Sequence, residues 1–356
     1  MKKSNIFYHE ICGAIHLHTR FSDGGASIPE LIDAGTEVGL DYCIVTDHQS
    51  LEARERGYEG FHGNLLLLVG YEHQDSRDRN HYLVLGTGKL ASETHDVQGY
   101  ISEIKRAGGT GFIAHPAEKR HYFSALPSYP WTDWSVEGFD GIEIWNQMSD
   151  WVEHLTNWRS FIRIFFPRRL MADVPSELTA KWDELNRSRF VAGIGGVDAH
   201  TRRYGFGLIH ITVFPVKVEL KGIRTHCYLE RPLSGMNADS AGRVIIDALR
   251  KGHSFVSNYR RGDARGSSFF VQYSDGSRCP PGMQPAKRAY PELLEVAVPE
   301  SAEIVVVRNG GIFKRIHGRA ECIPVDGKGL YRIEVRRKNH AWIYVNPFPL
   351  GDYPLS

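Results

Sequence analysis

The sequence predicts an α/β fold, in which a barrel-like α/β domain is followed by a smaller all-β domain. Three observations support this prediction. Apolar, strand-like segments alternate with helix-like segments over residues 10–210, and polar or ionisable residues follow the ends of several apolar segments. From residue 264 onward, the pattern changes to short alternating strands separated by Asp-Gly and Asn-Gly-Gly turns.

The length of the chain indicates two domains. A chain of 356 residues exceeds what one hydrophobic core usually fills. The helix Ala241–Lys251, closed by Gly252, is predicted to end the first domain. We therefore expect a domain of residues 1–263 and a C-terminal β-sandwich domain of residues 264–356.

The elements of the first domain follow from short apolar runs and helical periodicity. The predicted strands are Ile11–Leu17, Tyr42–Thr46, Leu65–Tyr71, Tyr82–Gly86, Gly111–Ala114, Gly141–Trp145 and Val191–Val197. The other predicted helices are Pro29–Val38 and Val97–Ala107, the second ended by Gly108-Gly109. Residues 146–189, rich in Trp and Arg, are predicted to form amphipathic helices as a lid or flank.

The second domain is predicted to be all β. Its segments alternate apolar and polar residues, as in strands with one buried face. The predicted strands are Ser268–Tyr273, Leu293–Val298, Ile304–Arg308, Leu330–Val335 and Trp342–Asn346. This spacing of strands and turns favours a β-sandwich.

Composition argues against several classes of partner. The 43 basic and 42 acidic residues form no long run of one sign, which argues against a nucleic-acid or membrane-surface partner. The longest aliphatic run, Leu65–Val69, is too short to span a bilayer, and the first residues contain no apolar stretch of signal-peptide length. We expect a cytoplasmic protein with a small-molecule substrate, and homo-oligomerisation stays open.

Two alternating pairs of polar residues predict metal ligation. His16 and His18 stand one residue apart, as do Asp198 and His200. In an extended strand alternate side chains share a face, so each pair can reach a common point. Further candidate ligands lie between the pairs, after or near apolar runs: Asp23, His48, Glu72, His81 and His115.

Glu72 is a carboxylate that follows an apolar segment predicted to be a buried strand. A carboxylate at the end of a buried strand needs a positive partner to offset its desolvation, and a metal ion supplies one. Imidazole and carboxylate without clustered thiolate suit Zn²⁺, Mn²⁺ or Fe²⁺. Because the candidate ligands are too many for one ion, we predict two or three divalent ions that share Glu72.

The motifs together resemble those of the polymerase and histidinol phosphatase (PHP) family. They are His16-Leu-His18-Thr-Arg-Phe-Ser-Asp23-Gly, Thr-Asp47-His48, Gly-Tyr-Glu72, Ala-His115-Pro and Asp198-Ala-His200, in this order. The resemblance covers about residues 11–210. It implies a distorted (β/α)7 barrel with a two- or three-metal centre at the carboxyl ends of the strands.

The resemblance also implies how the ligands are grouped. One ion would be held by His16, His18, Glu72 and Asp198, a second by Glu72, His81 and His115, and a third by Asp23, His48 and His200. The short spacing from Glu72 to His81 resembles a nucleotide-phosphatase-like branch. The C-terminal part looks like a two-domain branch that includes arylcarbamate hydrolases.

These inferences predict a metal-dependent hydrolase. A water bridging the metals would ionise near neutral pH and act as nucleophile. Glu72, Asp198 and His48 are the candidate catalytic residues, and Asp47 is either a carboxylate supporting the site or a turn cap.

The expected substrate is a small phosphorylated molecule such as a nucleotide or sugar phosphate. Arg20, Lys119 and Arg203 follow ligand motifs and could bind phosphate oxygens, and Asn146 could contact substrate. Trp131, Trp134 and Trp145 could include a ring that stacks on an aryl leaving group. The alternatives are an aryl ester or carbamate hydrolase and a non-catalytic binding module. The intact ligand set disfavours the binding module.

Overall fold

The α/β class is confirmed by the computed structural model of the chain. It describes residues 7–119, 127–155, 157, 159–160, 171, 173–206, 209–285 and 289–351, without the side chains of 206 and 209–211. Helices and strands alternate through the first two thirds of this part, and strands dominate the rest. None of the described helices has the length and apolar composition needed to cross a bilayer.

Twenty strands and seven α-helices make up the described structure. The strands β1–β20 are, in chain order, His9–Leu17, Tyr42–Val45, Gly60–His62, Leu65–Val69, Tyr71–His73, Tyr82–Leu85, Thr110–Ile113, Gly141–Asn146, Ala192–Gly196, Arg202–Phe206, Ile209–Val213, Ile223–Leu229, Ser254–Asn258, Ser268–Tyr273, Arg278–Cys279, Pro291–Arg308, Gly311–Pro324, Gly329–Arg337, His340–Val345 and Phe348–Leu350. The helices α1–α7 are Ile28–Glu37, Glu52–Glu55, Val97–Arg106, Gln147–Glu153, Ser176–Leu185, Val216–Glu219 and Ala238–Arg250.

Two large sheets carry the strands that surround the predicted site. A 13-stranded sheet runs in the order β15-β14-β16-β18-β19-β13-β12-β1-β2-β4-β3, with β17 on β16 and β20 on β18. A five-stranded sheet has the order β5-β6-β7-β8-β9, and β10 and β11 form a separate hairpin. Isolated parallel bridges join the large sheets at Leu17–Ala199 and at His48–Glu72.

In the described part of the chain the hydrogen-bonded strands form separate sheets and not one closed barrel, so the (β/α)7 barrel stays a prediction. The segment Leu65–Tyr71, predicted as one strand, is divided at Gly70 into β4 and β5, which belong to different sheets. A side chain at Gly70 would lie 2.3 Å from the carbonyl oxygen of Val84, so the backbones approach too closely for any other residue. The sheets separate where this close approach occurs.

The C-terminal strands continue the large sheet rather than forming a sheet of their own. β13 pairs with β19, so the edge of the first region extends directly into the second. The later strands nevertheless enclose a separate hydrophobic core around Phe269, Leu294 and Trp342. The β-sandwich and the domain boundary at residues 263 and 264 both stay predictions.

Local sequence signals account for the helix starts. Ser27 and Glu30 form a reciprocal capping box at the start of α1, and Asp96 caps α3. Sequence periodicity did not predict β10–β13 or β17. Of the stretch 146–189, α4 and α5 are formed as helices, whereas residues 161–170 lie outside the described part of the chain.

Candidate metal centre

The predicted ligands converge where the two large sheets meet. Glu72 lies at the centre, almost fully buried, and each of its carboxylate oxygens faces two ring nitrogens. Oε2 is 3.0 Å from His16 Nε2 and 3.1 Å from His18 Nε2. Oε1 is 2.9 Å from His81 Nδ1 and 3.1 Å from His115 Nε2. Glu72 is thus placed to serve two neighbouring ligand groups at once.

Asp198 completes the group around the first histidine pair. Its Oδ1 atom lies 3.3 Å from His18 Nε2, 3.5 Å from His16 Nε2 and 3.2 Å from His200 Nδ1. The ligand atoms of His16, His18 and Glu72 lie within 4.8 Å of one another, and so do those of His16, His115 and Asp198. The grouping of His16, His18, Glu72 and Asp198 around one ion stays a prediction.

A third group lies closer to solvent. Asp23 Oδ1 is 3.1 Å from His200 Nε2 and 3.8 Å from His48 Nε2, and His18 stands behind both. One ligand atom from each of these side chains lies within 4.8 Å of the others. His48 also approaches Glu72, at 3.5 Å, so it connects this group to the buried carboxylate.

Several donor atoms fit metal ions because they are buried in the cluster without a hydrogen-bond partner, whereas His16 Nε2, His81 Nδ1 and His115 Nε2 lie within hydrogen-bond distance of Glu72. Both ring nitrogens of His18, Nδ1 of His48 and Nε2 of His81 are buried and have no hydrogen-bond partner. A buried polar atom left without a partner is costly. His18 Nε2 lies near two carboxylate oxygens without hydrogen-bond geometry, which is the arrangement expected of ligands directed at a common ion.

The ionisation of the cluster is consistent with this interpretation. Burial would raise the pKa of Glu72, but the charges of His16 and His81 hold that pKa well below its ordinary value. Burial also opposes ionisation of Asp198, yet His16 and His200 hold its pKa well below the usual range. Burial lowers the pKa of His48 to about 4, which favours the neutral ring that binds metals.

Three of these residues have an unusual backbone conformation. His16, His115 and Asp198 have positive φ values of 66°, 27° and 54°. Non-glycine residues rarely adopt such values, which occur preferentially at functional sites. The alternation of side chains in an extended strand therefore does not by itself explain why these ligands converge. His16 departs from extended geometry, and Asp198 lies beyond the end of β9.

Glu143 is a functional candidate that sequence analysis missed. It is fully buried in β8 and accepts hydrogen bonds from His16 Nδ1 at 2.9 Å, the His115 amide at 2.7 Å and Asn146 Nδ2 at 2.9 Å. Since a carboxylate accepts, a proton on His16 Nδ1 would be donated to Glu143, and Nε2 would then be the nitrogen available to a metal ion. The sequence does contain a signal for this residue, because Glu143 is a carboxylate inside an apolar strand and would need a buried partner.

Glu219 is a second residue that the sequence did not reveal. It is buried beneath the third group and accepts a 3.3 Å hydrogen bond from the His200 amide. Burial raises the pKa of Glu219 to about 8. Its position supports the backbone that carries His200.

Asp47 is placed as a loop cap. Its carboxylate accepts hydrogen bonds from the Thr19 amide and hydroxyl, both at 2.7 Å, and from the Ser22 hydroxyl at 2.6 Å. These bonds hold the loop that leads from His18 to Asp23.

Replacing Asp47 with Asn should destabilise the protein by about 1–3 kcal/mol, because buried donors lose a charged acceptor. Urea unfolding of the variant measures this, with the exposed Asp33→Asn as the matched control. Equal unfolding midpoints for the variant and wild type would show that the loop does not depend on this carboxylate.

The predicted phosphate-binding cations are paired with carboxylates. Arg20 lies 3.5 Å from Glu30, Arg203 contacts the same carboxylate, and Lys119 contacts Glu177. None of the three lines the cavity that contains the histidine cluster. Their role in substrate binding stays a prediction.

Asn146 and the three predicted tryptophans lie outside that cavity as well. Asn146 caps α4 and donates to Asp198 Oδ2 at 3.3 Å, so it supports a ligand. Trp131 is buried, Trp134 lies under Lys181, and Trp145 packs edge-on against Tyr344.

Searches for related proteins give structural similarities only. No protein-family model matches the sequence, and no curated protein matches it. A two-domain protein of Bacteroides vulgatus, described as containing a predicted PHP-like metal-dependent phosphoesterase, aligns at 13% identity and a TM-score of 0.44 over 96% of each chain.

Two further solved structures show lower similarity. PsfC of Pseudomonas syringae aligns at 12% identity and a TM-score of 0.38, over 67% of this chain and 96% of its own. A candidate metal-dependent phosphoesterase of Bifidobacterium adolescentis aligns at 16% identity and a TM-score of 0.32, over 58% of this chain and 94% of its own. We therefore derive the function from the side chains described above.

Proposed function

We propose that the protein is a metal-dependent phosphoesterase that acts on a small phosphorylated molecule. The observation that carries this proposal is the position of Glu72, whose two oxygens each face two histidine nitrogens at 2.9–3.1 Å. A shared carboxylate surrounded by imidazoles is typical of centres that hold two or more ions. The motif resemblance to the PHP family adds the reaction class.

The candidate ligands would bind up to three ions in such a centre. His16, His18 and Asp198 would hold one divalent ion, His81 and His115 a second, and Glu72 would contribute to both. Asp23, His48 and His200 would hold a third. When bound, the ions supply an ionised water near neutral pH and offset negative charge at the reacting group.

Supporting residues keep these ligands in place. Glu143 would fix the tautomer of a metal-bound His16 by accepting from Nδ1, and its other oxygen accepts from the His115 amide. Partners of this kind typically alter metal affinity or activity by about 10- to 100-fold when removed. Asn146 holds the second oxygen of Asp198, so that Oδ1 remains directed at the histidines.

An aryl ester or carbamate hydrolase is the second candidate. It is favoured by the apolar residues that line the same cavity as the histidines, namely Met148, Trp151, Val152, Leu155 and Phe214. The same ligand set would serve either reaction, because both need an activated water and charge stabilisation at oxygen.

Metal removal and return test the proposal. The protein is stripped with a chelator, dialysed, and reconstituted separately with Zn²⁺, Mn²⁺ and Fe²⁺. We expect stripping to abolish hydrolysis of aryl phosphates and at least one metal to restore it with two or three ions per chain. Full metal content without turnover of any phosphate ester would contradict the proposal, and faster turnover of an aryl carbamate would favour the second candidate.

A further inference from the structure

We infer that the substrate carries an apolar, ring-sized group that binds against the apolar residues lining the same cavity as the metal ligands. This inference rests on the proposed function and narrows its substrate class. It makes phosphate esters of phenols or other apolar alcohols the preferred substrates, in place of the nucleotides and sugar phosphates that the sequence suggested.

The histidine cluster opens into a cavity of about 740 Å³. Its lining includes these candidate ligands: Asp23, His48, Glu72, His81, His115, Asp198 and His200. The lining also includes an apolar group, Met148, Trp151, Val152, Leu155, Val213 and Phe214, which we call the apolar wall. A cavity of this size admits a small ligand with one ring system beside its reacting group.

Helix α4 supplies much of the apolar wall. Met148 and Val152 are four residues apart and therefore share one helix face, and both line the cavity. Trp151 and Leu155, the latter just beyond the helix, extend the same surface. Asn146, which starts the helix, also contacts Asp198, so the position of the wall is tied to that of a ligand.

A second apolar segment faces the helix from the end of β11. Phe214 packs edge-on against Trp151, with ring centroids 4.5 Å apart. Val213 lines the cavity beside it. Aromatic pairs of this geometry are mutually stabilising, so the two rings form a fixed surface rather than a mobile one.

The charges of the described lining residues disfavour substrates that carry a second phosphate group. Among the lining residues in the described part of the chain, Arg202 alone carries a guanidinium or ammonium group. Its two terminal nitrogens contact Asp23, at 2.6 Å to the carbonyl and 3.1 Å to Oδ2. Asp78 adds a further carboxylate to the lining. Among the described lining residues, none therefore offers an unpaired guanidinium or ammonium group to bind a second phosphate group.

Substrate comparison with the metal-loaded protein is the first test. The probes are 1-naphthylmethyl phosphate, glycerol phosphate and glucose 6-phosphate, which all release an aliphatic alcohol, and kcat/KM is measured for each. Burial of a ring against apolar side chains should favour the naphthylmethyl ester by at least about a hundredfold, since even single methylenes in such pockets change discrimination 10- to 200-fold. Equal or faster turnover of glycerol phosphate or glucose 6-phosphate would overturn the inference.

Substitutions in the apolar wall test whether these residues cause the substrate preference. Met148→Ala should reduce kcat/KM for 1-naphthylmethyl phosphate about tenfold more than for glycerol phosphate, and Val152→Thr should act in the same direction while keeping its shape. Leu90→Ala, a half-exposed leucine outside the cavity, is the matched control and should leave the ratio unchanged. A ratio that does not move in either wall variant would contradict the inference.

Different results would contradict the phosphoesterase function and the apolar substrate group. No hydrolysis of any phosphate ester, with full metal content, would overturn the phosphoesterase itself. In that case the apolar group is tested directly by competition between 1-naphthyl phosphonate and methyl phosphonate, monitored by calorimetry. Tighter binding of the naphthyl compound, reduced by Met148→Ala, would uphold the wall as the binding surface, and equal binding would reject it.

Discussion

Replacing Glu72 with Gln is expected to remove more than one metal ion per chain and to abolish turnover. The amide keeps the size of the side chain but loses the charge that both oxygens present to His16, His18, His81 and His115. Removing one group that stabilises a transition state often costs 10²–10³-fold in rate. Because Glu72 serves two ligand groups, we expect the loss in kcat/KM to exceed roughly a thousandfold.

Elemental analysis of the purified variant measures the metal content, and circular dichroism confirms that it is folded. Glu303→Gln is the matched control, because this carboxylate forms a surface pair with Arg315 at 2.9 Å, far along the chain from the ligand motifs. The control should keep both metal and activity. If folded Glu72→Gln protein retains the metal content of the wild type, the shared-ligand role is wrong.

The substitution Gly196→Ala should have the second largest effect, although it adds only one methyl group. A Cβ atom at this position would lie 1.6 Å from Glu143 Oε1 and 3.0 Å from the Cβ of His16. Glu143 is fully buried and cannot move aside without breaking its hydrogen bonds to His16 and His115. Overpacking of this kind typically costs about 1–3 kcal/mol of stability.

We also expect Gly196→Ala to weaken metal binding about 10- to 100-fold, since the carboxylate that orients a ligand is displaced. Metal affinity is measured by competition with a chromogenic chelator, and stability by urea unfolding. The control is Gly88→Ala, where the added Cβ would have its nearest contact at 3.6 Å from Arg54. Unchanged metal affinity in Gly196→Ala would mean that Glu143 does not orient His16.

Several predictions from the sequence concern location, partners and metal rather than geometry. The cytoplasmic location and any homo-oligomer stay predictions, as do a small-molecule substrate and the lack of nucleic-acid and membrane partners. Zn²⁺, Mn²⁺ and Fe²⁺ all stay predicted metals, because they accept the same imidazole and carboxylate donors.

Local patterns in the sequence were sufficient for most of the elements and for the ligand candidates. Helix α1 follows from its capping box and periodicity, and β1, β2 and β6 follow from short apolar runs. His16, His18 and Glu72 could be recognised because ionisable residues next to buried strands demand partners. All of these signals lie within a few residues of the side chain concerned.

The tertiary structure decided what surrounds those candidates. Glu143 meets His16 across 127 positions of the chain, and Arg202 meets Asp23 across 179. Periodicity reports which face of an element is buried, but it does not report which distant element covers that face. The sequence by itself therefore determined the α/β class and the donor set, whereas only folding determined the orienting carboxylate, the pairing of the cations and the apolar wall.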